Sequence, residues 1–89
     1  MSDCENAAKI IEALKAAEQE PAQTALPILN ALVRLSQGGR EQSLEVEEAR
    51  ANAFMAICEI GKALHRGTSA DDLWAPAIAA AERWLSLVN

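Results

Sequence analysis

Apolar side chains recur every three or four positions along most of this chain, which is the spacing of amphipathic helices rather than of strands. The longest such segment runs from Leu44 to Arg66. At about 100° per residue, Val46, Ala53, Phe54, Ile57, Ile60, Gly61 and Leu64 fall on one side, and Glu45, Glu48, Asn52, Glu59, Lys62 and Arg66 on the other. Ala49 and Cys58 widen the apolar stripe, so this helix is expected to touch more than one neighbour. Two residues break the pattern: Arg50 lies in the apolar sector and Met55 among the charges.

Three further segments share the periodicity. Cys4, Ala7, Ile10, Ile11, Leu14 and Ala17 form a stripe on a first helix predicted from Asp3 to Gln19. Ser2 with Glu5 three residues later is a capping-box pattern at its start. Pro21 closes the segment, because the residue before a proline is pushed out of the helical region. A second helix is expected to begin with Thr24 as its cap and Pro27 in the first turn, where a missing N–H costs nothing. Ala25, Ile28, Leu29, Leu32, Leu35 and Ser36 make its apolar face, and Gly38 and Gly39 stop it. Residues 40–43 form a loop or lead into the third helix, with Ser43 as cap and Glu45, Glu47 and Glu48 following, as the helix dipole favours. His65, Arg66 and Gly67 end that helix. A short turn from Ala70 to Trp74 is then expected, followed by a fourth helix from about Ala75 to Val88, interrupted or kinked near Pro76. Its face is Trp74, Ala77, Ile78, Ala81, Trp84, Leu85 and Val88. The fold class predicted is all-α: one domain over residues 1–89, a small four-helix bundle or irregular four-helix array.

Composition sharpens this picture. Hydrophobic residues make up 51% of the 89, yet there are only one Phe, two Trp and no Tyr. The interior is therefore expected to be thin, and burial against a second copy or another protein would complete it. A formal net charge of −5 argues against direct nucleic-acid binding and against an anionic membrane surface. Two cysteines, with no secretory leader pattern and no apolar run near 20 residues, point to a cytoplasmic protein with reduced thiols.

Few residues offer chemistry. Gly61-Lys62 and Gly67-Thr68-Ser69 do not have the spacing of a phosphate-binding loop, which needs its glycines before the lysine. Gly61, in mid-helix at a cost of about 1 kcal/mol relative to Ala, is read as a point of close approach by another helix. His65 is the one histidine. Cys58 lies two turns earlier, about 10 Å along the axis, so a His65/Cys58/Glu47 cluster would need help from neighbouring helices. Glu45-x-x-Glu48 resembles one half of the metal-binding pattern of all-helical nucleotide pyrophosphohydrolases, but no matching acidic pair follows, since Asp71 and Asp72 are adjacent at a helix start. A helix-turn-helix reading of Leu32 to Ile57 puts Glu41, Glu45, Glu47 and Glu48 against phosphates, which would repel them. The same cluster suits an acidic inhibitor occupying a nucleic-acid site on another protein.

The function expected is a small acidic, non-enzymatic interaction module, an accessory subunit, adaptor or inhibitor that self-associates as a homodimer or binds another protein. Arg50, Met55, Trp74 and Trp84 are its expected contact residues, because Arg and aromatic groups concentrate at interface centres. Arg50 has a local candidate partner in Glu47. No cofactor and no metal are expected. The alternatives are a small helical enzyme or ligand-binding domain built on His65, Cys58 and Glu47, and the nucleic-acid mimic built on residues 41–48.

Overall fold

The computed structural model describes residues 2–37 and 43–89. Four α-helices follow in chain order: α1 (Asp3–Ala17), α2 (Ala22–Leu35), α3 (Leu44–Arg66) and α4 (Trp74–Val88). Each packs on two others, α1 on α2 and α4, and α3 on α2 and α4, and among the described residues the diagonal helices have no Cα atoms within 8 Å of each other. The ends show the directions. The Cys4 thiol of α1 donates to Asn89 Oδ1 just beyond α4 at 3.6 Å, and Arg50 early in α3 donates to the carbonyl of Ser36 just beyond α2 at 2.8 Å. Near the start of α3, Glu45 meets Arg83 of α4. Successive helices are thus antiparallel, and the molecule is an up-down-up-down four-helix bundle with extents of 36 × 20 × 18 Å.

The helix ends follow the local chemistry of the sequence. Ser2 Oγ accepts from Glu5 N–H at 3.2 Å and donates to the Glu5 carboxylate, and Ser43 Oγ accepts from Val46 N–H. Gly67, at φ 74°, takes the left-handed conformation past α3, so that its N–H reaches the Leu64 carbonyl and the Thr68 N–H reaches that of Ala63. That pair of bonds absorbs carbonyls left open by the last turn.

Three boundaries differ from expectation. α2 begins at Ala22, not after Thr24: Pro21, with its fixed φ of −67°, occupies the capping position, and Thr24 and Ala25 donate to its carbonyl. Pro27 is consequently the sixth residue of α2, past the first turn, and an interior backbone bond is forfeited on the exposed side of the helix. α1 ends at Ala17, and the chain turns through 18–20 before Pro21. In α4 the turn covers 71–73, and the helix runs unbroken from Trp74, with Pro76 third in the first turn, where its missing N–H is not needed. Gly38, Gly39, Arg40 and Glu41 lie outside the described residues.

The core joins all four helices. Ile10 and Leu14 of α1, Leu29 and Leu32 of α2, Ile57 and Ile60 of α3 and Trp74 and Trp84 of α4 are buried, and alanines such as Ala7, Ala53, Ala77 and Ala81 fill the positions between them. Small residues let the helix axes approach, and two indoles supply volume that the shortage of other aromatics leaves wanting. No helix among the described residues is long and apolar enough to cross a membrane.

Candidate interaction surface

Three features outside the core deserve description, and they use the singled-out residues differently. The first is an anchor between α2 and α3. Arg50 sits half-buried where the two helices meet, and its Nη1 donates to the Ser36 carbonyl at 2.8 Å. Its Nη2 and Nε donate to the Glu47 carboxylate one turn earlier, at 3.0 and 3.3 Å. A guanidinium thereby satisfies an orphan carbonyl at the end of α2, and Glu47 balances its charge. Ser36 is fully buried and turns its own hydroxyl back to the Val33 carbonyl. Arg50 is therefore held within the chain, by the partner its sequence position suggested plus one that it did not.

The second feature is a groove between α2 and α3 of about 440 Å³, walled by Leu26, Leu29 and Val33 on one side and Ile57, Cys58 and Gly61 on the other. Asn30, Lys62 and His65 stand on its rim. Gly61 does not serve close helix approach: a Cβ built there meets nothing within 4 Å, so the residue opens the groove instead of admitting a backbone. Cys58 and His65 both line this groove, but Glu47 belongs to the Arg50 anchor eleven residues before Cys58, about 16 Å along the axis. The three polar groups do not converge, and among the described residues no three His, Cys, Asp or Glu side chains gather around a point where a metal ion would sit.

The third is the outer face of α3. Among the described residues the exposed large hydrophobic side chains are Leu44, 75% exposed, and Met55, 54% exposed. Both lie on α3, on the stripe that also carries Glu48, Ala51, Glu59, Lys62 and Arg66 and that faces away from α2 and α4. Of the acidic residues at its N-terminal end, Glu45 is bridged to Arg83 at 3.5 Å and Glu47 to Arg50, which leaves Glu48 as the outward carboxylate among the described ones. Farther along, Lys62 meets Glu59 at 3.3 Å in an exposed pair, an interaction of little energy in water.

The two tryptophans are core residues. Trp84 is 0% exposed and Trp74 nearly so, and the Trp84 Nε1–H is buried without a hydrogen-bond partner among the described residues. The periodicity of α4 carried that signal, since both indoles fall on its apolar stripe. Of the four expected contact residues, Met55 alone presents an exposed side chain. What sequence reasoning missed was Leu44: eleven residues before Met55, it falls within about 20° of it around the helix axis and so among the charges, and the packing leaves it uncovered.

Among the described residues, geometry thus defines a small all-α bundle with an apolar groove between α2 and α3 and an exposed outer face on α3. Comparison with protein-family models, with curated proteins and with solved structures finds no match.

Proposed function

We propose that this protein is a small, non-enzymatic interaction module that works through a helical surface and associates with itself. The observation that carries this reading is the placement of Leu44 and Met55, the two large apolar side chains exposed to solvent among the described residues, on one stripe of one helix. The two stand about 16 Å apart along α3, and large apolar groups left exposed on one face of a helix are covered when that face meets another chain. The scatter of Glu47, Cys58 and His65 supports the same reading, because general acid–base or nucleophilic work needs its groups within hydrogen-bond reach.

The test is molar mass by light scattering after size exclusion, from roughly micromolar to roughly millimolar protein, the span over which weak dimers form. A mass that rises toward twice the monomer supports self-association, and a monomer throughout overturns it. His65→Ala is expected to leave the mass curve unchanged.

The groove between α2 and α3 favours a second reading, a binder of small apolar molecules, since its volume lies within the roughly 300–1,000 Å³ range of ligand pockets. Anilinonaphthalene sulfonate tests it. Saturable, stoichiometric fluorescence enhancement lost in Gly61→Leu, which fills the open space at that residue, supports the reading. No enhancement, or enhancement indifferent to the substitution, removes it.

A further inference from the structure

We infer that the partner for the outer face of α3 is the same face of a second copy, docked antiparallel about a two-fold axis at Met55. The inference rests on the self-association reading above and specifies its surface and direction. Met55 is the midpoint of α3: Leu44 and Arg66 each lie eleven residues away, and Glu48 and Lys62 each lie seven. All five belong to the exposed stripe.

A two-fold interface sets each residue of the stripe against its mirror-numbered counterpart in the partner, so its chemistry must be self-complementary. On α3 it is. Met55 meets Met55, a flexible and polarisable contact. Glu48 of each copy meets Lys62 of the other, and this pair occurs twice. Glu59 falls opposite Ala51, and the aliphatic stem of Arg66 falls opposite Leu44, whose exposed side chain it would cover. No like charges oppose each other. A parallel arrangement in register would instead set Glu48 on Glu48, Glu59 on Glu59, Lys62 on Lys62 and Arg66 on Arg66, so charge selects the antiparallel one.

Lys62 is available, because its bond to Glu59 is exposed and exchanges readily for a partner across an interface. α3 is about 34 Å long, and a stripe about 10 Å wide along it gives about 340 Å² per copy, below the roughly 1,000 Å² total of a stable interface, so the pairing is a weak one. Dissociation in the high-micromolar to millimolar range is the expected consequence.

The test exchanges the charges of the two symmetric positions. Glu48→Lys leaves Lys opposite Lys62 at both ends, and Lys62→Glu leaves Glu opposite Glu48 at both ends. Each single variant is expected to dimerise about tenfold more weakly or worse, while circular dichroism confirms that the exposed substitution keeps the helices. Mixing the two variants restores complementary pairs at both ends, so a heterodimer is expected at concentrations where neither variant dimerises alone. The double variant in one chain is expected to regain the native dimer. Dimerisation that ignores all three charge changes overturns the α3 interface and leaves self-association standing through another face. A native chain that stays monomeric overturns both.

Discussion

Arg50 is the residue whose surroundings are easiest to misjudge from its position in the chain. A guanidinium on an apolar stripe has two resolutions, an internal acceptor or a partner across an interface, and helical spacing alone gives Glu47 as one acceptor without excluding the other. The Ser36 carbonyl, fourteen residues away and brought close by the packing of α2 on α3, supplies a second acceptor within the chain. Arg50→Ala is accordingly expected to lower stability by about 1–2 kcal/mol, the scale of a charge-assisted hydrogen bond at a partly exposed site, and to leave the dimerisation curve where it was. Chemical denaturation with parallel light scattering checks both halves, and a changed mass curve would return Arg50 to the interface. Gly61 departs from the expected close helix approach. Nothing stands near its Cβ position, so Gly61→Ala should gain up to about 1 kcal/mol of helix propensity without a clash, visible as a rise of several degrees in melting temperature.

At the scale of elements, α3 was legible from end to end. Ser43 and Gly67 bracket it, one by accepting a backbone N–H and the other by reaching a conformation that costs other residues energy. α2 was less so, because Thr24 has the chemistry of a cap and a helix starting there would hold Pro27 in its first turn, whereas the helix starts at Ala22. In a helix beginning at Ala22, Pro27 removes the bond to the Gln23 carbonyl and crowds it. Pro27→Ala is therefore expected to stabilise the protein, by about 1–3 kcal/mol, with thermal melting as the measurement. A loss of stability would mean that the proline is serving the turn at 18–21 through the unfolded state or through its exposed ring.

For the molecule as a whole, the closed ring of four helix contacts means that no helix is an appendage. The core runs through all of them, and Trp84 is its largest fully buried side chain. Tryptophan emission in the native state should be blue-shifted, and its shift to the red should coincide with loss of helical dichroism in one transition, as expected of a small cooperative unit. Trp84→Ala should cost about 3–5 kcal/mol, enough to unfold much of a protein this size. Trp84→Phe should cost markedly less, because it keeps most of the buried aromatic volume while removing an N–H that is buried without a partner among the described residues. Losses as large for Phe as for Ala would show that the smaller ring does not pack in the site.

The sequence by itself determined the helices, most of their ends and the inward face of each, because helical periodicity and capping chemistry are local and every segment carries them in its own residues. It also put both tryptophans on the inward stripe of α4, although the shortage of other aromatics made them look surplus. Tertiary packing decided what each leftover group does. It closed Arg50 on Ser36, turned Gly61 into the opening of a groove and left Leu44 and Met55 uncovered on the outer face of α3. These outcomes depend on which helices become neighbours and how closely they approach, and periodicity, which fixes an angle around one axis, carries no information about the distance between two.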